Sequence, residues 1–217
     1  MTIMSKGVRV DYFLVFGQNP EMPTVNKRES IIRAAHAQFR LYGYRKTSME
    51  DIAGELGISR TSLYSYFKNK DEIFRSVSIW LHERAMADAE QCLMESWDRK
   101  NVSSKIVQAL LARHLSFHKE QFHSVHAEEL QDEYSRLCGD VVVESNAKFQ
   151  RLLADGLDVA VAESLIYVDL DDVNTAEVAE VLNLATAGLK RGAVRPGLFE
   201  ARVTRMVNIF VAGLSYA

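Results

Sequence analysis

The sequence predicts an all-α protein: an N-terminal three-helix domain with a helix-turn-helix, followed by a larger helical bundle. Three observations predict it. Only three prolines and eleven glycines punctuate 217 residues, so long stretches carry no breaker. Apolar residues recur at i, i+4 and i+8 rather than in alternation. Long β-branched runs are scarce. A composition of 47% hydrophobic and 25% charged residues is ordinary for a chain that buries a sizeable core.

Each element has its own local signal. Residues 1–24 read as a poorly ordered arm, or as sequence upstream of a start at Met22. Their apolar run, Tyr12 to Phe16, follows Asp11 directly and falls short of the ~7–15 residues of a signal peptide. The first helix spans about 25–42, with Ile31, Ala35, Phe39 and Tyr42 on one face and Gly43 placed to stop it. "KTSMEDIAGELG" gives the second. Thr47 or Ser48 can accept from the first free N–H groups, and Glu50 or Asp51 completes a capping box. Met49, Ile52, Ala53 and Leu56 form its buried stripe, Gly57 closes it, and Ile58 plugs the turn.

Ser59 caps a third, short helix from Arg60 to about Phe67. Leu63 and Phe67 point inward, which leaves Arg60, Thr61, Tyr64 and Ser65 on another face. Asn69 caps a fourth helix, with Glu72 three residues on, and this helix runs to about Glu95. Further helical patterns lie near 101–122, 125–137, 141–165, 175–190 and 198–214. The organisation is therefore a helix-turn-helix domain over 25–71 and a helical body over 72–217.

Charge divides the chain in the same place. Between Lys27 and Lys70, nine Lys and Arg face four acids, an excess of five positive charges. The whole chain carries −3, so the remainder carries −8. A basic quarter on an acidic body predicts that one end faces a polyanion. Cys92 and Cys138 are far apart and in no CxxC arrangement, which argues against a disulfide framework or zinc ribbon and makes a reducing cytoplasm the expected location. No stretch approaches the roughly 20 apolar residues of a membrane helix.

Helices two and three have the anatomy of a helix-turn-helix: two short helices meeting at a tight, glycine-containing turn with an apolar plug. The outward residues of helix three suit the major groove of double-stranded DNA. Arg60 can fork onto guanine, and Thr61 can hydrogen-bond or meet a thymine methyl. Tyr64 can reach base or phosphate, while Ser62, Tyr66 and Lys70 can donate to phosphate oxygens. The alternative is that both tyrosines pack into a small core and the hydroxyls are merely solvated.

The stretch "IIRAAHAQFRLYGYRKTSMEDIAGELGISRTSLYSYFKNKDEIF", residues 31–74, resembles the N-terminal domain of the TetR family of transcriptional regulators. It carries the family's Gly-Tyr turn, Thr-Ser pair, Ile-Ala, Leu-Gly-Ile-Ser, Leu-Tyr-x-Tyr-Phe and Lys-Asn-Lys-Asp elements. The resemblance covers about a fifth of the chain. It implies an all-helical homodimer that binds a palindromic operator, most often as a repressor, and is released by a small-molecule effector. It assigns Thr47, Ser48, Arg60, Thr61, Ser62, Tyr64, Tyr66 and Lys70 to the DNA. Many relatives have Gly or Ala where Thr61 stands, so base preference does not carry over.

The body offers fewer signals. The helices near 175–190 and 198–214 are apolar beyond one packing face, through Val178, Val181, Leu182, Leu184 and Ala185, and through Val203, Met206, Val207, Ile209, Phe210 and Leu214. The resemblance places a dimer contact there. Trp80, His114, Phe117, His118, Phe122 and Tyr134 are candidate walls of an effector pocket. His114 and His118 have a metal-compatible i, i+4 spacing in a run that also holds His123 and His126. They lack the glutamate of a zinc-protease helix, and no metal or other cofactor is expected. The acids of Asp169 to Asp172 lack calcium-loop spacing. No catalytic constellation is present, so an enzyme is not expected. Two other classes stay open at this point: a helical interaction module with a vestigial helix-turn-helix, and a metal-dependent hydrolase built on the histidines.

Overall fold

The computed structural model describes residues 26–122, 125–168, 173–191 and 197–214, and for 116–122 the backbone alone. The N-terminal arm expected at 1–24 and the acidic loop at 169–172 lie outside the described residues. Within them the elements are α1 (Lys27–Tyr42), α2 (Met49–Glu55), α3 (Arg60–Tyr64), α4 (Lys70–Met94), α5 (Val102–Phe122), α6 (Ala127–Leu137), α7 (Gly139–Ala162), α8 (Thr175–Leu189) and α9 (Leu198–Leu214).

The caps explain most boundaries. Asn26 starts α1 by accepting from the Arg28 N–H. For α2 the ambiguity resolves to Ser48 and Asp51, which cap each other's backbone N–H groups reciprocally. Ser59 accepts from the Ser62 N–H and Asn69 from the Glu72 N–H. Helix α3 is regular only to Tyr64, short of the expected Phe67. The Ser65 hydroxyl donates to the Ser62 carbonyl at 2.6 Å, while the Tyr66 and Phe67 N–H groups both donate to the Leu63 carbonyl. The last turn is thus tightened rather than absent. The break expected between α6 and α7 shrinks to Cys138 alone.

Two apolar cores form. The N-terminal one gathers Ile31, Ala35, Phe39, Ile52, Leu63 and Phe67 with Ile73, Phe74, Val77 and Leu81 of α4, and with Leu130 and Cys138 from the body. It therefore continues across the expected division at 71/72. Phe74 is its hub: its ring centroid lies 5.2 Å from Phe39, 5.0 Å from Tyr44 and 4.7 Å from Tyr134. The second core fills the body with Leu93, Trp97, Ile106, Leu110, Phe149, Leu153, Leu157, Leu182, Phe199 and Val203. Helix α4 runs through both and ties the domains into one structure.

Candidate nucleic-acid interface

The α2–turn–α3 unit is held rigidly from below. Gly57 takes φ +62°, a left-handed turn that glycine enters without a Cβ penalty, and the Ile58 N–H returns to the Ala53 carbonyl at 3.0 Å. Leu63 and Phe67 are buried, so α3 can present only its other side outward. Arg28 reaches from α1 to the Ser76 hydroxyl at 3.1 Å, with its guanidinium 4.2 Å from the centre of the Phe67 ring. That fixes the end of α3 against α1 and α4.

The outward side carries Arg60, Thr61, Tyr64 and Tyr66, all exposed, and Ser62, which is partly buried. The two tyrosines are 41% and 38% exposed, which removes the alternative of a tyrosine-filled core. Arg60 pairs with Glu50 of α2, and its second guanidinium nitrogen lies 3.3 Å from the Tyr64 hydroxyl. The Tyr64 contact and then the Glu50 charge hold the guanidinium proton more firmly than usual. Arg60 is thus a charged, pre-aimed group at the edge of α3.

Two expected contacts face inward instead. Thr47 is 1% exposed, and its hydroxyl donates to the Gly43 carbonyl at 2.7 Å. A β-branched hydroxyl placed four residues after a turn carbonyl closes that turn and is spent there. Lys70 donates to the carbonyls of Tyr44 at 2.7 Å and Thr47 at 2.8 Å, and its ammonium lies 4.3 Å from the Tyr44 ring centre. Burial lowers its pKa, against the pull of Asp71, Glu133 and Glu129. Both residues shape the α1–α2 turn. The Ser48 hydroxyl is engaged with Asp51 at 2.7 Å as part of the cap.

Sequence reasoning missed the exposed lysines beside these elements, Lys46 and Lys68. Each precedes the N-cap of α2 or α4 by one or two residues, a position from which a long side chain clears the helix end. It also missed a clamp from the body. Gly43 takes φ +82°, and a Cβ there would strike the Glu129 carboxylate. That carboxylate accepts from the Arg45 N–H at 2.6 Å and sits 3.6 Å from His126. Nearby, Glu133 bonds Arg136 at 2.7 Å, and the Tyr44 hydroxyl donates to Asp71. The α1–α2 turn therefore rests on α6 as well as on α4.

Of the expected pocket residues, the three whose side chains are described lie apart. Trp80 packs against His36 of α1, with ring centroids 5.6 Å apart. Tyr134 packs on Phe74 in the N-terminal core. His114 is buried in the body, its Nε2 2.9 Å from the Asn183 side-chain oxygen. The side chains of Phe117, His118 and Phe122 lie outside the described residues, as does His123. Among the described residues no three His, Cys, Asp or Glu side chains cluster as metal ligands.

Comparison with known proteins matches residues 31–77 to the model of the bacterial regulatory proteins of the tetR family. The chain is 33% identical over 64 residues to a protein described as the probable acrEF/envCD operon repressor of Escherichia coli (strain K12), covering 30% of this chain and 28% of that protein. It is 26% identical over 73 residues to the uncharacterized HTH-type transcriptional regulator YhgD of Bacillus subtilis (strain 168), covering 34% and 38%. The matches thus span well under half the length of either relative. Over the whole fold, a transcriptional regulator from Cytophaga hutchinsonii ATCC 33406 superposes with a TM-score of 0.71 at 18% identity, covering 87% of this chain and 98% of that one. Residues 31–77 thus match the DNA-binding part of the TetR family of bacterial regulatory proteins, within a helical fold that such regulators share.

Proposed function

We propose that the protein is a DNA-binding transcriptional repressor that reads a palindromic operator as a homodimer and leaves it when a small effector binds the body. The observation that carries this reading is α3: Arg60, Thr61, Tyr64 and Tyr66 stand exposed on a rigidly supported helix in the basic quarter of the chain. Phosphate contacts fall to Lys46, Lys68 and the Tyr66 hydroxyl, base contacts to Arg60 and Thr61. A relative described as an operon repressor supports the sign of regulation. A cytoplasmic location is the one that fits action on chromosomal DNA; among the described residues no helix is long and apolar enough to cross a membrane.

Dimerisation is supported by what α8 and α9 leave uncovered. Val181 is 50% exposed, Leu184 60% and Ile209 68%, while Val178, Leu182, Val203 and Val207 already fill the body core. A second copy covering that face joins two recognition helices, and two-fold symmetry doubles the bases read. Effector binding then favours a different spacing of the two α3 helices, by no more than its differential affinity for the two states. Selection of bound duplexes from random DNA, repeated at two salt concentrations, tests the reading. A palindromic consensus with a steep salt slope is expected. Absence of selective binding overturns it and leaves a helical interaction module.

A further inference from the structure

The two apolar cores do not meet in the middle of the body. Between them lies a layer of buried polar side chains: Ser78 and His82 on α4, Arg113 and His114 on α5, Ser145 on α7, and Asn183 and Thr186 on α8. Lys190 closes the layer just beyond α8. Apolar residues stand on both sides of it, with Leu81 in one core and Ala89, Leu110, Phe149 and Leu182 in the other. A polar layer through the centre of a small bundle costs folding energy and requires another reason to exist.

The layer is cationic. Arg113 is 4% exposed, and its only described hydrogen bond runs from one terminal nitrogen to the Asn146 side-chain oxygen at 2.8 Å. Its Nε has no hydrogen-bond partner among the described residues, nor has the buried Ser145 hydroxyl. Burial lowers Arg113 to about 10, and burial together with repulsion from Arg113 lowers Lys190 to about 8. Burial first, then these two cations, hold His82 near 4 and His114 near 3. Among the described residues no carboxylate contributes to the shifts of Arg113, His114 or Lys190. A buried arginine ordinarily finds its acid; here two cations and two neutral imidazoles face one another.

Access exists. A cavity of about 530 Å³ opens between α4 and α7, with His82, Met86, Val141 and Ser145 among its walls. Of the acids at its mouth, Asp140 is held by Arg75 at 2.7 Å and Glu144 by Lys148 at 2.7 Å, while Glu83 and Glu90 are exposed. Arg113 lies behind this wall, bonded to Asn146, the neighbour of Ser145.

We propose that the layer is the receptor for the effector and that the effector is a small organic carboxylate with an apolar body. Its oxygens accept from Arg113 Nε and the Ser145 hydroxyl, Lys190 supplies the second positive charge, and its apolar part lies along Met86 and Val141. The inference rests on the regulatory reading above and names the chemical class of that effector. His82 stands on α4, the helix both domains share, so the site presses directly on the element that carries the DNA-binding end.

The test titrates the full-length protein with 4-phenylbutyrate, 4-phenylbutanol and 4-phenylbutylamine, which differ only in the charged end, by calorimetry and thermal unfolding. The acid should raise the melting temperature and bind at least tenfold more tightly than the alcohol or the amine. Arg113→Gln and Lys190→Gln should each remove at least tenfold of that affinity and leave the alcohol unaffected. Should Arg113→Gln not fold, Lys190→Gln, only partly buried, carries the comparison. Equal binding of amine and acid, or acid binding untouched by either substitution, overturns the anion receptor. So does the absence of a shift with a series of carboxylates of increasing apolar length. Operator binding on the same samples is read separately: if it persists in those cases, the regulator stands and only the effector class falls.

Discussion

The Lys70 ammonium donates to the carbonyl oxygen of Thr47 at 2.8 Å, joining the start of α4 to the segment that leads into α2 across 23 residues. The same nitrogen takes the Tyr44 carbonyl at 2.7 Å. One cation thus satisfies two carbonyls that no helix ladder reaches, in a turn closed from the other side by the Thr47 hydroxyl. Replacing Lys70 by Ala leaves those carbonyls unpaired. We expect a loss of roughly 1–2 kcal/mol in stability, read as a lower denaturant midpoint, with operator affinity falling evenly over all sequences. The salt slope of binding should hardly change, whereas Lys68→Ala should reduce it by about one phosphate contact. A normal midpoint with a reduced slope in Lys70→Ala would show that the lysine works on phosphate instead.

Arg60 sits between two partners, and both can be tuned. With DNA absent it pairs with Glu50 and touches the Tyr64 hydroxyl. A guanine edge must therefore compete with a carboxylate for the same guanidinium. Arg60→Ala should weaken operator binding roughly 5- to 150-fold and relax preference at one base position. Glu50→Gln should strengthen binding modestly, since it removes the competing acid and one negative charge near the phosphates. Binding curves on the selected operator and on its single-base variants check both; wild-type behaviour in Arg60→Ala would remove the arginine from the groove.

Glu129 couples the body to the DNA-binding end through a backbone contact, the Arg45 N–H at 2.6 Å. The glycine at 43 leaves room for that carboxylate, since a Cβ there would meet it, and it takes φ +82°. Gly43→Ala should destabilise the protein by about 1–3 kcal/mol through backbone strain and the displaced carboxylate. Glu129→Gln keeps the volume and weakens the acceptor. Operator affinity should stay near wild type in that variant, while the effector's ability to lower it should shrink. An unchanged effector response would confine the coupling to α4.

The parts legible in the sequence are those fixed by neighbours in the chain. Ser59 and Asn69 announce helix starts because a short acceptor side chain two or three residues ahead of free N–H groups has one efficient use. The i, i+4 stripe of Ile31, Ala35 and Phe39 names a buried face for the same reason. What stayed illegible depends on what lies across space. A threonine in a basic, hydroxyl-rich run looks available to DNA until the turn is seen to fold its hydroxyl onto the Gly43 carbonyl four residues back and towards the Gln38 carbonyl of α1. Lys70 fits phosphate as well as carbonyl until the Tyr44 turn is seen beneath it. Trp80, His114 and Tyr134 are all aromatic positions on body helices, yet α4 turns Trp80 towards α1 and α6 turns Tyr134 towards Phe74. The polar layer has a related cause: nothing beside Arg113 and Lys190 in the chain marks them out, and it is packing against α4, α7 and α8 that takes them out of water.

That layer also sets how the fold responds to acid. His82 and His114 titrate near 4 and near 3 in the folded chain, held down first by burial and then by Arg113 and Lys190. In the unfolded chain both return to about 6.5. A folded pKa below the unfolded one means that the unfolded state binds the extra protons between those values. Stability from the neutral imidazoles is therefore complete above pH 6.5 and is lost as pH falls towards 4. Each histidine contributes a slope of at most about 1.4 kcal/mol per pH unit, so the pair should approach twice that near pH 5. Urea midpoints at pH 7.5, 6.5 and 5.5 should drop progressively, and His114→Gln, which retains a partner for Asn183, should roughly halve the fall. A slope unchanged in that variant would place His114 in solvent rather than in the core of the layer.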